Sequence, residues 1–175
     1  MLPFDHLEPH PGWGPPRQAK LSDDEVRTQF VLWSIARSPL ILGSNLTKLS
    51  ALTKSLMANK DILAVNQHGH DPHPLPMELQ DIRAWIASCG AQRLVALFNL
   101  SDKDTQIDSD WAQLGAPAGG QHAARNLLTG EPVPEAERLV ISLPPHGTAI
   151  YVVDPMPGTE VCPTPSSNRR FIRGR

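Results

Sequence analysis

Residues 21–67, LSDDEVRTQFVLWSIARSPLILGSNLTKLSALTKSLMANKDILAVNQ, decide the fold. Ser22 opens a helix: its hydroxyl suits the amide three residues on and Glu25 suits the return bond, the pattern of a capping box. Val26, Phe30, Trp33 and Arg37 follow at helical spacing, and Leu32 and Ile35 widen the apolar face. Pro39 disfavours helical geometry at Ser38 and ends the helix there. Leu40-Ile41-Leu42 is a short all-apolar run before Gly43, which suits a parallel strand buried on both faces. Ser50 caps a second helix containing Leu52, Leu56 and Met57, with Asn59 as its stop. Ile62-Leu63-Ala64-Val65 is a further apolar piece, helical or extended.

Outward from this stretch the pattern changes on both sides. Residues 1–20 form a loop rich in Pro, Gly and His. After His68 the chain loses periodicity, and 71–76 reads as a linker. His68, His70, Asp71 and His73 are metal-ligand types, but no helix or strand fixes their geometry, so they read as a solvated connection rather than a metal site. Beyond it the period becomes two. Residues 82–87, 93–99, 105–107, 123–127, 139–143 and 148–153 read as strands, separated by Gly-, Asp- and Pro-bearing turns. Many short strands with regular turns predict an antiparallel sandwich. The tail, 155–175, lacks apolar density and is expected to be disordered. The fold class is therefore α/β followed by all-β.

Bulk properties narrow the function classes. The chain has 175 residues, with 16 Lys+Arg against 18 Asp+Glu and a formal net charge of −2. Such a balance points to neither nucleic acid nor an anionic membrane surface. No apolar run approaches the roughly 20 residues of a membrane span. MLPFDHLEPHPGWG has neither a basic n-region nor an apolar h-region, so it does not read as a signal peptide. The two cysteines make no framework, and Cys89 is not expected to pair with Cys162, which falls in the tail. No phosphate-binding Gly loop, Ser–His–acid arrangement or nucleotide fingerprint occurs, so no cofactor is expected.

Asp24-Glu25, Trp33, Ser38-Pro39-Leu40-Ile41, Asn45-Leu46, Leu56, Asn59-Lys60-Asp61-Ile62 and Ala64-Val65-Asn66-Gln67 form an ordered series resembling the C-terminal part of glycoside hydrolase family 27. That is the family of α-galactosidases and α-N-acetylgalactosaminidases. Weaker support comes from Leu97-Phe98-Asn99-Leu100-Ser101-Asp102, Trp111 with Leu114-Gly115, Arg125 through Gly130, and Leu143-Pro144-Pro145-His146-Gly147. The resemblance covers about residues 1–154. It implies that 1–70 is the last unit of an incomplete (β/α)8 barrel and that 77–154 is the sandwich that follows the barrel. A closed barrel takes about 250 residues. Met1-Leu2-Pro3 resembles the close of a motif that ends the seventh barrel strand. The start would then fall on a methionine internal in relatives, and a truncated gene or misplaced start codon is the expectation.

The implied reaction of a complete relative is retaining hydrolysis of terminal α-galactosides, with an α-galactoside as its partner. Two carboxyl groups about 5–5.5 Å apart carry such a reaction. The resemblance places both on barrel strands four and six, so no catalytic residue is assigned here. Asp23, Asp24 and Glu25 read as helix-start acids, and Asp5 and Glu8 are not read as catalytic. Three residues are candidates for the sugar side. Met1 falls there by its place in the motif, although as a chain end it reads as unordered. Trp13 stacks on a sugar face or packs under the barrel rim. Asn45 follows the last strand, where barrel sites gather residues, or is a cap after Gly43-Ser44. Asn45-Leu46-Thr47 and Asn99-Leu100-Ser101 match the glycosylation triplet and are assigned no function. Full-length relatives are often secreted, periplasmic or lysosomal, and the resemblance leaves location open.

The alternative is a non-catalytic carbohydrate-binding or interaction module whose working part is the sandwich. It is disfavoured because alternation places most of Trp85, Phe98, Trp111 and Tyr151 inward. A further expectation concerns stability. The Leu40–Leu42 run and the Phe30/Trp33 face look built for neighbouring barrel elements, each side chain worth about 1.5–3 kcal/mol on full burial. The N-terminal half is therefore expected to be less ordered than the sandwich.

Overall fold

The computed structural model describes all residues except 13, 77–80, 156–157, 159 and 164–175. A two-residue ribbon, β1 (His6–Leu7) with β2 (Arg17–Gln18), precedes helix α1 (Asp23–Ile35). The expected capping box is present: Ser22 Oγ accepts from the Glu25 amide at 3.2 Å, and the Glu25 carboxylate accepts from the Ser22 amide at 2.7 Å. The helix stops before Pro39 can act on it. Arg37 takes a left-handed φ of 56°, the Arg37 amide donates to Ser34 O at 3.1 Å, and the Ser38 amide donates to Trp33 O at 2.9 Å. That is the Schellman closure, with Arg where Gly is usual. The Arg37 guanidinium then satisfies the carbonyls of Asn66 and Gln67.

Helices α2 (Ala51–Met57) and α3 (Lys60–His68) follow. Asn59 is not a stop for α2. It is the N-cap of α3, accepting from the Ile62 amide at 3.0 Å. Among the described residues, eight strands follow: β3 (His70–Leu75), β4 (Ile82–Cys89), β5 (Gln92–Asn99), β6 (Thr105–Asp110), β7 (His122–Asn126), β8 (Pro132–Ala136), β9 (Arg138–Leu143) and β10 (Thr148–Val153). Six of them form an antiparallel sheet in the order β3-β4-β5-β10-β7-β8, and β6 pairs with β9. The stretch 71–76, read as a linker, is thus mostly the edge strand β3. Both strands of the six-stranded sheet that the sequence reading missed, β3 and β8, carry two prolines and lie at the sheet edges, where a missing N–H costs no ladder bond.

The sheet is buried on both faces. Val95, Leu97, Tyr151 and Val153 meet Ile107, Trp111, Leu139 and Leu143 on the sandwich side. Leu94, Ala96, Phe98, Ile150 and Val152 point the other way, into a core with Phe4, Val26, Phe30, Val31, Ile35, Ile62 and Val65. Helix α1 packs on β10, β5 and β4. The apolar face of α1, which reads in the sequence as built for neighbouring barrel elements, thus packs in part on the sheet of this chain. Polar ties cross the same junction. Arg125 pairs with Asp61 at 2.6 Å, Asn59 Nδ2 donates to Leu127 O at 2.8 Å, and Thr28 Oγ1 donates to His146 O at 2.6 Å.

Three expectations are corrected. Leu40-Ile41-Leu42 is not a strand buried on both faces: Leu42 makes a single parallel bridge to Leu2, and Ile41 is 60% exposed. A parallel strand is covered by neighbours on both sides, and here one is present. Cys89 and Cys162 do form a disulfide, with Cα atoms 4.9 Å apart. The reading of 155–175 as disordered fails at Val161 and Cys162, which are buried in the core beneath α3 and the sheet; residues 164–175 lie outside the described residues.

His122 fastens β7 to the end of β10. Its Nδ1 lies 2.6 Å from Asp154 Oδ2 and its Nε2 lies 3.0 Å from Pro117 O. The Asp154 bond raises the His122 pKa against the opposing effect of burial. A raised pKa in the folded state means that this stabilisation is complete below the ordinary histidine range and is lost as pH rises through the folded value. Thermal melts from about pH 5.5 to about pH 8.5 should therefore show the margin of wild type over His122→Asn shrinking with pH. A margin that is constant or grows would contradict this.

Candidate functional site

Leu2 and Leu42 are the two strand remnants of a βαβ crossover, with α1 between them. The Leu2 amide donates to Ile41 O at 2.7 Å, and the Gly43 amide donates to Leu2 O at 2.9 Å. Parallel pairing sends the chain out of both remnants at the same end, into residues 4–8 and 43–48. Ligands in parallel α/β folds collect at that end of the strands.

The two segments are laced together there. The Asn45 amide donates to His6 O at 2.9 Å. Ser44 Oγ donates to Phe4 O, and Asn45 Nδ2 donates to the Glu8 carboxylate. Lys48 Nζ lies 3.2 Å from His6 Nε2 and 3.9 Å from Glu8 Oε1. The Asn45 hydrogen bond, aided by the charges of Lys48 and His6, holds the exposed Glu8 carboxyl below its usual range despite partial desolvation. Asn45 Oδ1 accepts from the amide and hydroxyl of Thr47 at 2.8 and 2.6 Å, capping the 3-10 turn Leu46–Lys48. Asn45 is thus a cap and an organiser of both loops at once.

Asp5 has a left-handed φ of 54° that turns the chain after the first remnant. Burial works against ionisation of its carboxyl, but hydrogen bonds from Thr53 and Ser50 and the charge of Lys54 outweigh it and lower its pKa. The Ser50 amide donates to Asp5 Oδ2 at 3.0 Å, so Asp5 anchors the start of α2. A cleft of about 390 Å³ opens beside it, lined by Asp5, Gln18, Leu21, Asp23, Val26 and Thr53 among others. Asp24 pairs with Arg27 at 3.1 Å and Glu25 closes the capping box. These carboxylates have structural partners.

Met1 is exposed but not adrift. A side chain at Gly43 would begin 2.7 Å from the Met1 sulfur, so the thioether lies against the Gly43 backbone. Trp13 lies outside the described residues. The Met1 side chain lies against Gly43, two residues before Asn45 in the chain. His70 and His73 stand on β3, and His73 Nδ1 is 2.8 Å from Asp71 O. Among the described residues, no group of three or more His, Cys, Asp or Glu could hold a metal ion. Nor, among the described residues, is any helix long and apolar enough to cross a membrane. The His6–Glu8–Lys48 cluster was missed in the sequence, because its members lie up to 42 residues apart and carry no periodic signal.

Residues 80–153 match the family described as the α-galactosidase C-terminal β-sandwich domain, and residues 17–68 match α-galactosidase A. A GH27 β-L-arabinopyranosidase from Geobacillus stearothermophilus superposes with a TM-score of 0.80 and 30% identity, over 91% of this chain and 37% of that one. Rice α-galactosidase is 24% identical over 151 residues, covering 82% of this chain and 36% of the relative. α-Galactosidase I from Mortierella vinacea shares the fold, with a TM-score of 0.69 and 20% identity over 76% of this chain and 36% of that one. The chain thus spans little more than a third of the length of these relatives.

Proposed function

Because the chain belongs to glycoside hydrolase family 27, we propose that it supplies the closing βα unit and the accessory sandwich of a retaining glycosidase acting on terminal α-galactosides. The observation that carries this reading is the parallel Leu2–Leu42 crossover, continuous with a sandwich whose sheet packs on the same helices. Residues 1–70 act as the barrel unit and 77–154 as the sandwich. The two carboxyls that cleave the sugar, about 5–5.5 Å apart in retaining enzymes, are assigned to none of the 175 residues. The role of this chain is positional. The sandwich clamps α1 and α3, α1 and α3 hold the strand remnants, and the remnants present Met1 and Asn45 on the sugar side. Met1 offers an apolar surface over Gly43. Asn45 sets the Glu8 and Lys48 side chains that rim the mouth.

A domain transplant tests the reading. The segment of the Geobacillus arabinopyranosidase that aligns with this chain is replaced by residues 1–154, and hydrolysis of aryl β-L-arabinopyranoside and aryl α-galactoside is measured. The transplant is expected to fold and to turn over at least one of the two sugars, which differ by a hydroxymethyl group. A folded transplant inactive on both contradicts the proposal.

A further inference from the structure

The tail returns to the body of the molecule at residues 160–163. Cys162 is bonded to Cys89 across a sequence separation of 73. Gln92, itself buried, holds the same segment from both sides: its Nε2 donates to Glu160 O at 3.0 Å, and its Oε1 accepts from the Cys162 amide at 2.8 Å. Val161 and Cys162 are 3% and 2% exposed, in the core that contains Val65, Ala87 and Leu94. A cavity of about 440 Å³, lined by Gln67, His68, His70, Cys89, Gly90 and Pro163, adjoins the segment. The segment therefore sits where α3 passes into β3, beside the β4–β5 turn, at the joint between the barrel unit and the sandwich.

We propose that residues 160–163 are a redox-dependent strap that locks this joint, and that the chain matures in an oxidising compartment. Closing the strap removes two protons and two electrons from the Cys89 and Cys162 thiols. The electrons pass to a disulfide oxidant, either an oxidised thiol–disulfide oxidoreductase or oxidised glutathione. Its S–S bond breaks as the new one forms, and it leaves as two thiols carrying the two protons. Such a bond persists outside the reducing cytosol and is rare within it. Gln92 is the positioning residue: its two hydrogen bonds fix the strap as an added backbone segment and bring Cys162 opposite Cys89, which raises their effective concentration before oxidation. None of this depends on the sugar-cleaving reading.

The 175-residue chain is refolded with reduced and oxidised glutathione, quenched with an alkylating agent and mapped by mass spectrometry. A Cys89–Cys162 cross-linked peptide is expected, and full alkylation of both thiols in folded protein would overturn the proposal. Hydrogen exchange is then compared before and after mild reduction of the wild type, so that the test does not rely on a cysteine variant folding. Reduction should speed exchange about tenfold or more at the Cys162 amide and the end of α3, while β6 and β9 stay unchanged. Thermal unfolding should fall by about 10 °C. Unchanged exchange at Cys162 and α3 would overturn the lock. Gln92→Ala should slow formation of the cross-link several-fold, and an unchanged rate would overturn the role of Gln92.

Discussion

Phe30→Ala is expected to destabilise the chain by about 3–5 kcal/mol. Phe30 is fully buried on α1, in the core that the helix shares with Leu94, Ala96, Phe98, Ile150 and Val152 of the sheet. Truncation removes the largest fully buried side chain of α1 and opens a cavity at the joint, where helix and sheet cannot both collapse into the space. Ile41→Ala, at a side chain 60% exposed, should cost less than about 0.5 kcal/mol. Urea unfolding followed by both far-UV circular dichroism and tryptophan fluorescence measures the difference. The shared core also predicts one transition, with the two probes coincident. A Phe30→Ala cost below about 1 kcal/mol would mean that α1 does not rest on the sandwich in solution.

Asn99→Ala should cost about 3 kcal/mol or more. Asn99 is 1% exposed, and its side chain holds two turns together. Its Nδ2 donates to the carbonyls of Lys103 at 2.7 Å, Pro144 at 2.8 Å and Leu143 at 3.2 Å. Its Oδ1 accepts from the Ser101 amide at 3.0 Å and from the hydroxyls of Ser101 and Thr105 at 2.9 and 3.2 Å. Alanine leaves several of these groups in the interior without partners, and desolvating an unpaired polar group is expensive. Asn99→Asp is the sharper variant: it keeps the shape and the acceptor but places a carboxylate among carbonyl oxygens. Denaturant midpoints should fall in the order wild type, then both variants well below it. A stability unchanged within about 0.5 kcal/mol in Asn99→Asp would contradict the hydrogen-bond assignment. The same geometry disposes of the glycosylation triplet at Asn99, since its amide nitrogen is buried and engaged.

Local chemistry made much of this fold legible. The Ser22–Glu25 capping box, the apolar period of α1 and the alternation in β4, β5 and β10 each depend on residues close in sequence, and each was readable. What stayed hidden depends on distance. Asn59 looks like a stop because it follows a helix, yet its carbonyl oxygen caps the next one and its amide reaches Leu127 across the joint. β3 and β8 hide behind their prolines, which only an edge position tolerates. Cys162 looked loose because the tail around it is polar, and nothing local reports that Gln92 grips it. At the candidate site, Asn45 was visible as a cap, whereas its bond to Glu8 required the parallel pairing of Leu2 with Leu42.

Purified chain incubated with an aryl α-galactoside, alongside a buffer blank, tests the central claim most directly. With the sugar-cleaving carboxyls assigned outside these residues, release of the aryl alcohol should match the blank at every substrate concentration. Saturable hydrolysis above the blank that Glu8→Gln or Asp5→Asn abolishes would place the reactive centre within this chain and contradict the account.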